Sequence, residues 1–257
     1  MMINKMPDFY KEQNVFFIGN SYTYYNHLSL MFKGICESVG MTVNVDSITS
    51  SGKNFEYMLN ESTTEHIEMV YKLSQTDFDY VFIQEQSIRP ITAYSTFRTT
   101  AEELVDLIHS YCPNAKVILY ETWARENGNS FYTENPTYTY KSMQKELCDA
   151  YTNVGTDLGL KVSYAGVGFY ISHESNNGIQ LYQSDLTHPS PAGTYLAALI
   201  HASTIYGFNP NKVDYVPSFT ITQGGSYKTM PTKAECEALR QIAYNVVFNL
   251  DLSILED

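Results

Sequence analysis

VFFIGNSYTYY, from Val15 to Tyr25, is the stretch whose reading decides the fold. Val15 to Ile18 is an uninterrupted apolar run that stops at Gly19. A short continuous run of this kind, bounded by a turn residue, is the pattern of a strand buried on both faces, as in a parallel sheet. Beyond the turn, Leu28, Met31, Phe32, Ile35 and Val39 recur at three- and four-residue steps, which predicts a helix stopped by Gly40. Strand, turn and helix in that order open an α/β fold.

The rhythm repeats along the chain. Residues 43–48 (VNVDSI) alternate as a second strand, Ser50 to Asn54 form a loop, and residues 55–73 read as helix. Residues 79–83 are a third strand, followed by Gln84-Glu85-Gln86-Ser87. A helix over 96–111, a turn at Pro113-Asn114 and a fourth strand over 116–120 come next. Residues 124–137 read as a polar loop, 138–158 as a long helix and 160–164 as a weaker fifth strand. Ser190 caps a helix with Pro191 at its first position. Ala192, Tyr195, Leu196, Leu199 and Ile200 give that helix one apolar face, and Gly207 ends it. Residues 208–230 read as irregular or as a short hairpin. Thr232 and Glu235 then make a capping box before a last helix with apolar Leu239, Ile242, Val246 and Leu250. This alternation predicts an α/β sandwich around a parallel sheet of about five strands. With no repeat or linker to divide it, the chain reads as a single domain over 1–257, its core at about 14–206 and a C-terminal segment and helix over 208–257.

Composition narrows the function classes. The net charge of −12 repels phosphate backbones and anionic membranes, which argues against nucleic acid as a partner. No apolar run approaches the length of a membrane span. The opening MMINKMPDFYKEQN lacks the apolar centre of a signal peptide, so a cytoplasmic setting is expected unless a leader has been trimmed. Cys36, Cys112, Cys148 and Cys236 are far apart, without zinc-site spacing, and are expected to be reduced, half-buried thiols. The 22 tyrosines offer faces that suit sugar rings, although ordinary packing accounts for most of them.

In parallel sheets ligands bind at the carboxyl ends of strands, so the segments just after them carry the chemistry. The first gives Gly19-Asn20-Ser21, the second Gly52, and the third Gln84 to Ser87. Asp185-Leu186-Thr187-His188 precedes the helix that Ser190 caps. A serine hydroxyl needs a base to take its proton, histidine is the usual one, and an acid orients the histidine. Glycine N–H and glutamine amide groups supply donors for an oxyanion.

These four segments, in this order, resemble the SGNH (GDSL-like) hydrolases over about residues 14–206. The resemblance implies a flavodoxin-like three-layer αβα sandwich and a serine enzyme that hydrolyses esters without metal or cofactor. It matches Ser21 to the nucleophile, His188 to the base, Asp185 to the orienting acid, and Gly52 with the Ser21 N–H to oxyanion donors. Two positions depart from the family pattern. Asn20 stands where the family usually has Asp, and Gln84 to Ser87 replaces a block that usually carries Asn. Alignment on the strand end puts Gln86 at that Asn, with Gln84 second. Such Gln/Glu-rich blocks look similar to carbohydrate-esterase branches, which implies O-acetyl groups on glycans as substrate.

GNS occurs again at Gly128 to Ser130, but no strand directly precedes it. Ser21 read alone is a helix cap, and Asp185 with His188 a turn or half of a metal site with His173 and Glu174. His27 is expected to point away from Ser21, and Glu85 to be structural or solvent-facing. An α/β-hydrolase is disfavoured because G-x-S-x-G is absent. The expected function is a serine esterase for small acyl esters. Its alternatives are a glycan-binding protein that has lost catalysis and a lipase or thioesterase.

Overall fold

The apolar run becomes β1 (Gln13–Gly19), in which Val15, Phe16, Phe17 and Ile18 are all buried. Val15 and Phe17 enter one core and Phe16 and Ile18 the other, as the two-residue period of a strand requires. A computed structural model describes residues 11–223 and 226–256. Most of the opening segment read for a leader, the centre of the expected hairpin at Gly224 and Gly225, and the last residue lie outside the described residues.

After β1 come α1 (Ser21–Tyr24), α2 (Leu28–Ser38), β2 (Val43–Thr49), α3 (Phe55–Leu59), α4 (Thr64–Gln75), β3 (Tyr80–Ile83), α5 (Arg89–Thr92) and α6 (Tyr94–Tyr111). The second half runs β4 (Lys116–Tyr120), α7 (Ser130–Glu134), α8 (Tyr140–Leu158), β5 (Lys161–Ser163), α9 (Ala165–Glu174), α10 (Pro191–Tyr206), β6 (Ile221–Gln223), β7 (Ser226–Lys228) and α11 (Lys233–Phe248). The five long-range strands are all parallel, in the order β2-β1-β3-β4-β5. One core packs α2, α9, α10 and α11 on the sheet; the other packs α3, α4, α6 and the later turns of α8. This is the expected three-layer αβα sandwich. Strand order reverses between β1 and β3, which opens a crevice at their carboxyl ends.

Several elements differ from the sequence reading, each for a physical reason. The helix expected over 55–73 breaks at Asn60 to Thr63, because the Thr63 side chain caps a new start by accepting from His66 N–H. The polar loop over 124–137 contains α7, capped by Asn129. Helix α9 was not expected: small residues and a low periodicity hide it, and it packs with most of its residues buried. Helix α10 is buried all round rather than on one face, because it is packed between α2, α9 and α11. Leu250 lies beyond α11 and is exposed. The four cysteines are free but fully buried rather than half-buried. The expected hairpin exists as β6 and β7, paired antiparallel. Tyr120, Tyr151 and Tyr195 are core residues, as most tyrosines were expected to be. Among the described residues no helix is long and apolar enough to cross a membrane.

Candidate active site

Ser21 opens α1 immediately after β1, at the sheet's switch point. Its turn is held from both sides. Asn20 Oδ1 accepts from Tyr22 N–H at 3.1 Å, and Asn20 Nδ2 donates to the Lys53 carbonyl at 2.9 Å. The second bond ties the serine turn to the loop carrying Gly52, and an aspartate could not make it, having no N–H to give. Below, Gln84 Oε1 accepts from Asn20 N–H at 3.0 Å and from Thr23 Oγ1 at 2.9 Å. Gly19 leaves room for that amide: a Cβ there would lie 2.6 Å from Gln84 Oε1 and 2.4 Å from Thr23 Oγ1.

Asp185 and His188 sit in the loop before α10. Asp185 Oδ1 accepts from the N–H groups of Thr187 at 3.0 Å and His188 at 2.9 Å, and Oδ2 lies 2.6 Å from His188 Nδ1. Leu186 between them holds φ at +58°, a left-handed conformation that costs a branched side chain. The loop is anchored by Gln183 N–H on the His188 carbonyl at 2.9 Å. Burial tends to raise the Asp185 carboxyl, but the bonds from the His188 ring and the two N–H groups outweigh it and hold it below the usual carboxylate range. An ionised Asp185 accepts a hydrogen bond from Nδ1–H, which keeps that proton on Nδ1 and leaves Nε2 to accept. His188 Nε2 lies 2.9 Å from Ser21 Oγ.

The chain also positions the imidazole from the serine side. Tyr25 stacks flat on it, with centroids 4.2 Å apart and planes 10° apart. Asn26 and His27 have φ of +54° and +56°, which kinks the chain between α1 and α2. Asn26 tolerates this conformation and uses it: its Nδ2 donates to the Pro189 carbonyl at 2.8 Å and to Thr194 Oγ1 at 2.9 Å. His27 is carried out to the surface, with Phe219 at 6.0 Å, away from Ser21.

Ser21, Gly52, Gln86 and His188 line one cleft of about 150 Å³, together with Ser87 and Arg125. Gly52 has φ of +67°, which favours glycine. Neither its N–H nor that of Ser21 donates to a described residue. The two glutamines have different surroundings. Gln84 is buried outside the cleft, its Oε1 occupied by the serine turn and its Nε2 by the Glu85 carbonyl. Gln86 Oε1 caps α5 by accepting from Ile88 and Arg89 N–H at 3.0 and 3.2 Å. Its Nε2 has only a long contact, 3.4 Å to Ser87 Oγ. Glu85 is fully buried and not solvent-facing: its carboxylate accepts from Phe55 and Gln86 N–H, and burial pushes its pKa up to about 7.

The second GNS takes no place in the cleft. Ser130 is exposed at the start of α7. Asn129 instead donates to Thr187 Oγ1 at 2.9 Å and the Asp185 carbonyl at 3.2 Å, bracing the Asp185–His188 loop from outside. His173 lies 3.0 Å from Glu174 Oε1 and 3.5 Å from Glu126 Oε1, and stacks near Tyr140. Among the described residues, no three His, Cys, Asp or Glu gather as for a metal ion.

Sequence reasoning missed Arg125 and Glu121, both after β4. Arg125 donates to Tyr22 Oη and, at 2.7 Å, to Ser87 Oγ. Glu121, fully buried, receives Gly166 N–H at 2.6 Å, Val167 N–H at 3.2 Å and Gln144 Nε2 at 2.5 Å. Between them Trp123 stacks between Tyr22 and Phe169 at 4.5 and 4.1 Å. Their place after the fourth strand marks them as candidates, but their partners lie on other strands' ends and elements.

No protein-family model matches the chain, and no curated protein does. Solved structures do. A protein from Slackia heliotrinireducens, provisionally described as an SGNH hydrolase, is 25% identical with a TM-score of 0.65, covering 76% of this chain and 100% of its own. A DUF4886 family protein from Bacteroides uniformis aligns with a TM-score of 0.73 at 18% identity, over 92% of this chain and 95% of its own. A lipase/acylhydrolase from Enterococcus faecalis aligns with a TM-score of 0.55 at 21% identity, over 76% of this chain and 96% of its own. The latter two likenesses concern the fold alone. Fold and comparisons together identify the chain as similar to the SGNH (GDSL-like) hydrolases, whose three-layer αβα architecture it has.

Proposed function

We propose that the protein is a serine esterase in which Ser21 is the nucleophile, His188 the general base and Asp185 the residue that orients it. The observation that carries this reading is the continuous chain from Ser21 Oγ through His188, at 2.9 Å, to Asp185, at 2.6 Å, inside a cleft with free N–H groups. His188 Nε2 takes the hydroxyl proton as Ser21 Oγ attacks the ester carbonyl. The Ser21 and Gly52 N–H groups and the Gln86 amide hold the oxyanion. The alcohol leaves with the proton from Nε2, water adds with the same base, and the acid departs.

The small cleft supports a short acyl group over a lipase's long chain, and we take O-acetyl groups on carbohydrates as the substrate class to try first. The test is labelling with a serine-directed fluorophosphonate and peptide mass mapping. An adduct on Ser21 that is absent in His188→Ala is expected. An unlabelled Ser21 would turn the reading toward glycan binding without turnover, and an adduct on Ser130 would move the active site to the other GNS.

A further inference from the structure

Arg125 is a cation that lines the cleft. Its two side-chain bonds among the described residues go to hydroxyls, Tyr22 Oη and Ser87 Oγ. Among the described residues, no carboxylate lies within 4.0 Å of it, whereas Arg89 has one and Arg98 has two; Arg240 has none either, but it is buried away from the cleft on Tyr195 Oη and the Tyr215 carbonyl. A guanidinium carries five donors in a rigid fork suited to a carboxylate. Drawing such a cation partly out of water is costly unless it is paired.

The neighbours that hold it decide what it can reach. Tyr22 directly follows Ser21, and Ser87 directly follows Gln86. The guanidinium is thus bonded to the residues next to the nucleophile and next to the amide proposed for the oxyanion. It is also rigidly held. Tyr22 is pinned against Trp123 with planes 4° apart, Trp123 is pinned the same way on Phe169, and Trp123 Nε1 donates to the Thr187 carbonyl at 3.1 Å. Arg125 further lies 5.8 Å from the Tyr22 ring centroid. A preorganised cation beside the reacting carbonyl selects an anion that arrives with the substrate.

We propose that Arg125 is a specificity-determining residue and that the substrate class is esters bearing a carboxylate a few atoms from the scissile bond. This rests on the serine-esterase reading and deepens it. The chain's −12 charge repels anions at long range, so the preference must arise at this one contact.

The test compares matched esters with and without the charge. For the alcohol part the pair is 4-acetoxybenzoate and its methyl ester; for the acyl part it is monophenyl adipate and phenyl hexanoate. In at least one pair, kcat/KM is expected to favour the anionic member by about tenfold or more, the scale of a charge-assisted hydrogen bond. Arg125→Met should abolish that ratio, and Arg125→Lys, which keeps the charge without the fork, should restore part of it. Circular dichroism and a urea midpoint for each variant show that the comparison is made on folded protein. No preference in either pair, or a preference that survives Arg125→Met, would overturn the proposal. So would an equal fall in both members, which would make Arg125 an oxyanion donor. Loss of neutral-ester hydrolysis in Ser21→Ala tests the serine reading separately, so the two ideas can fail independently.

Discussion

Gln84 and Gln86 are two residues apart, yet their substitution should produce opposite failures. Gln86 borders the cleft, with its carbonyl oxygen capping α5 and its NH2 group free of any short contact. Replacing it by alanine removes the proposed oxyanion donor, which is expected to lower kcat by about 10²–10³-fold. The lost cap is half-exposed and should cost about 1 kcal/mol. Gln84 is 1% exposed and accepts from both Asn20 N–H and Thr23 Oγ1. Gln84→Ala strands a buried N–H and opens a void, for a loss of about 2–4 kcal/mol in stability. The assays are kcat and KM on a short-chain chromogenic ester, and urea denaturation of each variant. If Gln84→Ala kept its stability while losing turnover, and Gln86→Ala the reverse, the assignment of the two amides would be wrong.

Asp185→Asn should keep the loop but offer Nδ1 the wrong partner, lowering kcat by about 10⁴-fold without a matching loss of folding. Glu85 sets a pH dependence: its folded pKa of about 7 lies above the ordinary 4.5, so stability is fully present below pH 4.5 and falls as pH rises through 7. Urea titrations at pH 5 and pH 8 should show Glu85→Gln losing less stability over that interval than the parent, by up to about 3 kcal/mol; parallel titrations would refute this. A Cβ at Gly166 would meet the Thr122 carbonyl oxygen at 2.1 Å and Glu121 Oε1 at 2.8 Å. Gly166→Ala is therefore expected to cost about 3 kcal/mol or more in denaturation, since backbone cannot step aside.

Much of the fold was legible because parallel strands are uniform apolar runs. Val15 to Ile18 and residues 116–120 needed nothing beyond their own composition. Ser190-Pro191 and Thr232 with Glu235 marked helix starts because caps are local chemistry. Helix α9 escaped because its Ala, Gly and Ser positions are set by close approach to other elements, which no period records. At the site, strand ends and spacing single out Ser21, Gly52, Gln86 and His188, which line one crevice, and Asp185, which is bonded behind His188; Gln84, also singled out, lies outside it. Arg125 was missed because its meaning depends on Tyr22 and Ser87, residues from two other strands' ends. Asn26 was missed because its partner carbonyl is 163 positions away.

That Asn26 clasp joins the beginning of the core to its end. Serine and imidazole arrive in the chain far apart, and they meet only when the segment carrying Pro189 and Thr194 docks against the kink. On the proposed triad, the hydroxyl therefore stays an ordinary, unreactive serine during synthesis until α10 has emerged and packed. Reactivity becomes a reporter of completed folding: a fluorophosphonate added to a refolding or ribosome-bound chain would mark only molecules that have closed the clasp.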